Sequence, residues 1–120
     1  MPLQPHIEAF EDATVVKVAV EELGEANLQA FAEELSAVID GLAHRPLHLD
    51  LGRVRYLTST ALGKLIALHK RVRERGGRLT LVNLTPLVYE VFEVTQLHRL
   101  LDIRRGPGDA PGRSTSPLAS

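Results

Sequence analysis

The sequence predicts a single α/β domain, a mixed four- to five-stranded sheet faced by three to four helices. Short segments of alternating apolar residues are interleaved with longer segments whose apolar residues recur at helical spacing. A chain of 120 residues at 44% hydrophobic and 24% charged is large enough for one ordinary core without disulfides or metals. Once an opening pair of strands is passed, strands and helices alternate, which implies parallel neighbours joined by right-handed crossovers.

Each element has its own warrant. His6 to Phe10 and Thr14 to Val20 are rich in apolar and β-branched residues and are separated by Glu11-Asp12-Ala13, which reads as a hairpin. From about Glu25 to Asp40 the positions Leu28, Ala32, Leu35 and Ile39 recur at helical spacing, and Gly41 supplies the stop. Leu47, Leu49, Leu51 and Val54 follow Pro46 and suit a buried central strand. A second helix is expected from about Thr60 to Arg75, with Leu62, Leu65, Ile66 and Val72 on its apolar side and Gly76-Gly77 at its end. Arg78 to Val82 is strand-like. Thr85-Pro86 opens a third helix, because threonine caps free amides and proline at the first position gives up a donor that would be unpaired anyway. That helix is expected to reach about Thr95, and Leu97 to Ile103 then reads as a turn followed by a last strand or short helix. From Gly106 onward, turn formers and small polar residues cannot bury enough apolar surface to offset the entropy of ordering, so residues 106–120 are expected to be a flexible tail.

Composition narrows the chemistry. The absence of cysteine excludes disulfides, thiolate metal sites and cysteine nucleophiles. With 14 Lys plus Arg against 15 Asp plus Glu, the chain lacks the basic excess of a nucleic-acid binder. Met1 to Phe10 has neither the basic start nor the apolar run of a secretory signal, and no stretch approaches the roughly 20 apolar residues needed to cross a bilayer. A cytoplasmic protein with no membrane insertion is the expectation. The five histidines are scattered, and Pro46 prevents His44 and His48 from sharing a helical face as a zinc pair would. Ser59 lacks the glycines of a nucleophile elbow, and no dinucleotide or phosphate-binding glycine motif occurs. These absences point to a chain without catalytic residues, metal or cofactor.

What stands out is Thr58-Ser59-Thr60, three hydroxyls where the second helix begins. The first amides of a helix lack internal partners and, with the macrodipole, favour negative charge by roughly 0.3 to 1 kcal/mol. Ser59 or Thr58 could serve simply as the helix cap. A phosphate on one of these hydroxyls would add about −1.5 to −2 charges where a helix best tolerates an anion, so its cost would fall on a docked partner rather than on the fold. Arg53 and Arg55, just upstream, are candidates to pair with such a phosphate. Lys64, Lys70, Arg71, Arg73 and Arg75 give the second helix a basic side opposite an acidic first helix, a candidate docking face or an ordinary solvated one.

Four stretches, in order and spacing, resemble one known family: Leu49-Asp50-Leu51-Gly52-Arg53-Val54, then Tyr56-Leu57-Thr58-Ser59-Thr60-Ala61-Leu62-Gly63, then Arg75-Gly76-Gly77-Arg78-Leu79, and Asn83-Leu84-Thr85-Pro86. The family is that of STAS domains, whose founding soluble members are bacterial anti-sigma factor antagonists. In those antagonists the helix-start motif usually reads Asp-Ser-Ser-Gly or Asp-Ser-Thr-Gly, and its second hydroxyl residue is phosphorylated by the anti-sigma factor, itself a serine kinase. Thr60 falls on that position, while Thr58 replaces the acidic residue and Ala61 the glycine.

The resemblance implies a STAS-like domain over residues 1–105 and an anti-sigma factor antagonist whose partner is an anti-sigma factor serine kinase. Phosphorylation is then expected at Thr60 or Ser59, with partner contacts from Thr58, Ser59, Thr60, Ala61, Lys64, Arg53 and Arg55. Other soluble STAS domains serve as accessory subunits of lipid-transport complexes, packing the same helix on a nucleotide-binding subunit. The third reading is a scaffold module of a larger signalling assembly, packing with related domains or with copies of itself as a homodimer.

Overall fold

The computed structural model describes residues 6–9, 13–42 and 45–106. The first described strand, β1 (His6–Ala9), is antiparallel to β2 (Thr14–Lys17), as the hairpin pattern implies, while Phe10 and the residues Glu11 and Asp12 of the expected turn lie outside the described residues. Then come β3 (Glu22–Leu23), α1 (Leu28–Asp40), β4 (Leu47–Asp50), β5 (Tyr56–Leu57) and α2 (Ser59–Glu74). β6 (Leu79–Leu84), α3 (Pro86–Val94), a 3-10 turn (Leu97–Arg99) and β7 (Asp102–Arg105) complete the described chain. The ambiguous terminal segment thus holds both a short helical turn and a strand.

Five strands form the main sheet in the order β1-β2-β4-β6-β7, and every pair beyond β1 is parallel. Each crossover advances one strand in the same direction. With right-handed connections this carries all three helices to one face. The register fits that arrangement, because Val16, Leu49 and Leu81 line up across β2, β4 and β6 and all are fully buried. Phe31, Leu35 and Ile39 of α1, Leu65 and Val72 of α2, and Val88 and Phe92 of α3 complete the core above them. The other face carries the row Val15, His48, Thr80 and Asp102, of which His48 and Asp102 are half-buried while Thr80 is buried and donates its hydroxyl to Asp102 at 2.9 Å.

Besides β2, which ends at Lys17 rather than Val20, three boundaries differ from expectation. Helix α1 starts at Leu28 rather than Glu25, because Asn27 ties residues 22–27 into a turn: its Oδ1 accepts from the Gly24 amide at 3.1 Å and its Nδ2 donates to the Glu22 carbonyl at 2.8 Å. The central strand stops at Asp50, whose carboxylate accepts from the Gly52 amide at 2.8 Å and folds the chain into a turn, although Leu51 and Val54 still enter the core. Strand β6 runs on to Leu84 through a bulge at which Asn83 adopts a left-handed φ of 61° and donates to Asp50 Oδ1 at 3.1 Å. At the chain's far end Gly106 donates to the Leu84 carbonyl at 3.1 Å, and residues 107–120 of the expected tail lie outside the described residues.

Candidate functional site

The loop after β4 is anchored by buried Leu51 and Val54, so the chain re-emerges at Tyr56-Leu57 beside Glu22-Leu23. These two-residue strands pair in parallel, and the Thr58 amide donates to the Leu23 carbonyl at 3.2 Å. The entrance to α2 is thereby fixed against the turn that precedes α1. Thr58 has extended backbone, and its Oγ1 accepts from the Ala61 amide at 3.1 Å. Of the two candidate caps, Thr58 is therefore the one used.

With the cap supplied by Thr58, Ser59 and Thr60 are released from that duty. Both are exposed in the first turn, on an end of the helix where anions are favoured. Ala61 does not belong to the partner-binding set: it is fully buried, since the turn that exposes Ser59 and Thr60 carries the next side chain into the core.

The Thr60 hydroxyl, and then Glu25's own backbone amide, hold the Glu25 carboxyl below its ordinary range. Glu25 and Thr60 share a groove of about 690 Å³ between α1 and α2, whose lining includes Leu28, Ala32, Glu33 and Lys64. Arg53 and Arg55 line a different groove, with Glu21, Thr85, Pro86 and Leu87 at the start of α3. The structure thus divides the expected contact residues, Thr60 and Lys64 on one side and the two arginines on the other. Part of the basic side of α2 is engaged within the chain: Arg71 and Arg75 reach Asp40 at 3.1 and 2.8 Å, and Arg71 also donates to Ser36 at 3.0 Å. Among the described residues no group of three acidic, histidine or cysteine side chains could hold a metal ion, and no helix is long and apolar enough to cross a membrane.

The family model described as "Mlab, STAS domain" matches residues 7–102. The chain belongs to the STAS domain family. This STAS domain is 31% identical over 83 residues to the Anti-sigma-B factor antagonist of Listeria monocytogenes, an alignment that spans 69% of this chain and 70% of that one. In fold it is similar to an anti-sigma factor antagonist from Mycobacterium paratuberculosis, with a TM-score of 0.74, 21% identity and 89% of each chain covered. The Bacillus cell fate determinant SpoIIAA in its phosphorylated form superposes with a TM-score of 0.63 at 18% identity, covering 92% of this STAS domain and 98% of that chain.

Sequence reasoning missed Glu25 as a neighbour of Thr60. It read the residue as part of the acidic outer side of α1. The pairing of β3 with β5 is what brings the two together, and two-residue strands leave almost no periodic signal. Asn27, three residues after Gly24 and before an apolar helical run, is the one local hint that a turn precedes α1 there.

Proposed function

We propose that this chain is a non-catalytic, cytoplasmic anti-sigma factor antagonist that docks on an anti-sigma factor kinase through the exposed tip of α2 and the groove beside it. Phosphorylation at Thr60, or at Ser59, switches it. The observation that carries this reading is the division of labour at the helix start: Thr58 supplies the cap, and the next two hydroxyls are exposed and not engaged in capping. The similarity to relatives named as antagonists supports it.

The geometry supplies a mechanism. A phosphate on Thr60 gains from the free amides of α2 and from Lys64, one turn along the same helix. It also places a dianion in the groove that Thr60 shares with Glu25, so the carboxylate must swing away. A partner seated on α1 and α2 meets new charge and altered shape together, at a cost of roughly several kcal/mol if the contact is desolvated. The unmodified chain binds and the modified chain releases.

A second reading, an accessory subunit of a lipid-transport complex, is favoured by one specific feature: the motif has Thr58 and Ala61 where antagonists carry an acidic residue and glycine. Incubation with an anti-sigma kinase and ATP, followed by mapping of the phosphate, separates the two. Phosphate on Thr60 or Ser59 supports the switch, and a chain that binds the kinase without ever being labelled removes it.

A further inference from the structure

At the other end of α2, away from Thr60, a cavity of about 550 Å³ opens between the helix, the start of β6 and the 3-10 turn. Along α2, at 1.5 Å per residue, Arg73 stands about 20 Å from Thr60. Guanidinium groups dominate its wall: Arg73 from α2, Arg78 just before β6, and Arg99 from the 3-10 turn, where His98 stands beside it. Asp102 is the one carboxylate in the lining, and it is already engaged, ion-paired with Arg78 at 3.1 Å and accepting from the Thr80 hydroxyl at 2.9 Å. Among the described residues neither Arg73 nor Arg99 has an anionic partner.

Into this wall is set His69, only 7% exposed, with neither ring nitrogen hydrogen-bonded. Buried polar groups are ordinarily paired, and an imidazole left without a partner beside a cavity is an unused donor. A surplus of forked guanidinium groups around such a donor fits an anion with several oxygens, and the volume suits a ligand larger than a bare ion.

We propose that this cavity is a binding site for a small phosphate-bearing molecule, held by Arg73 and Arg99 at its rim above the buried, unpaired ring of His69. The site is independent of the switch at Thr60. Its effect on His69 has a definite sign. Burial, and then Arg73, hold the imidazole below its ordinary value, while Asp102 pulls the other way. Arg78 just before β6, Tyr89 from α3, and His98 and Arg99 complete the charged and titratable surroundings, and a phosphate among them outweighs the arginines and favours the imidazolium.

Pyrophosphate is the probe, followed through the His69 ring resonances by NMR on the full chain, with citrate as a carboxylate control. The expected result is saturable binding that raises the pH at which His69 titrates and tightens as pH falls. Arg73→Gln combined with Arg99→Gln should weaken binding by about tenfold or more, as loss of charge-assisted contacts does. Thr60→Ala should bind as the parent does. Should the double variant fold poorly, Arg99→Gln alone, on the exposed turn, reads the same loss. An unchanged His69 titration, equal affinity in the arginine variants, or citrate binding as tightly as pyrophosphate would overturn the assignment.

Discussion

Gly24 and Thr58 lie so close that a Cβ on residue 24 would stand 2.8 Å from the Thr58 γ-methyl. The contact joins the turn before α1 to the cap of α2, so the helix start is positioned by a residue 34 places earlier in the chain. Gly24→Ala should therefore cost about 1 to 2 kcal/mol, as overpacking does, despite the lower unfolded-state entropy that alanine brings. Thr58→Ser removes the opposing methyl but keeps the capping oxygen, so it should recover most of that loss in the Gly24→Ala background. Urea unfolding of the two single variants and the double variant measures the coupling, and strict additivity would show that the contact is not what matters.

The cap and the exposed hydroxyls should respond oppositely to alanine. Removing the Thr58 oxygen leaves the Ala61 amide without its 3.1 Å partner and should destabilise by about 1 kcal/mol. Ser59→Ala and Thr60→Ala should each stay within roughly 0.5 kcal/mol of the parent. Binding to the partner should rank the other way, with Thr60→Glu folded yet weakened by tenfold or more if it mimics about one phosphate charge. Denaturation midpoints set beside partner affinity check both orders, and a Thr60→Glu chain that binds undiminished contradicts the switch.

Periodicity made the three helices and the parallel core strands readable, because Leu35, Ile39, Leu65 and Val72 bury one stripe of each helix against Leu49 and Leu81. What it could not show was where a strand stops while its apolar run continues. Leu51 and Val54 look like further strand residues, but the Asp50 carboxylate and the bulge at Asn83 turn the chain away after Asp50. The candidate site was legible as a row of hydroxyls and illegible in its partners. Which hydroxyl caps depends on backbone angles, and Glu25 reaches Thr60 only through two strands too short to carry a pattern. Charge counting likewise saw a basic face on α2 but not that Asp40 holds two of its arginines.

The Glu25 carboxyl should report on the state of Thr60. Its pKa in the folded chain lies below the ordinary value, first because of the Thr60 hydroxyl. A depressed carboxylate pKa contributes stability that is present above the unfolded value and is lost as pH falls through the folded one. Thr60→Val removes the donor while keeping the shape, and should return Glu25 toward the ordinary carboxylate range with a correspondingly weaker acid dependence of the folded state. Carbon-detected titration of the Glu25 carboxyl in the two chains makes the comparison, and identical titrations would mean that the hydroxyl does not hold the carboxylate.

His69 gives a pH dependence in the neutral range and of different origin. Its folded pKa lies below the ordinary 6.5 because the ring is buried, so between the two values the unfolded chain binds more protons than the folded one. Stability should hence be level above the ordinary histidine value and fall as pH drops through it. In phosphate-free buffer His69→Leu should flatten that part of the profile. It should also raise stability near neutral pH by about 1 kcal/mol, since a buried polar group without a partner costs roughly 1 to 3 kcal/mol and leucine fills a comparable volume. Thermal unfolding of both chains from mildly acidic to mildly alkaline pH decides the matter. Were His69→Leu to destabilise at every pH, the ring would be making a contact in solution that satisfies it, and the cost assigned to its unpaired nitrogens would be wrong.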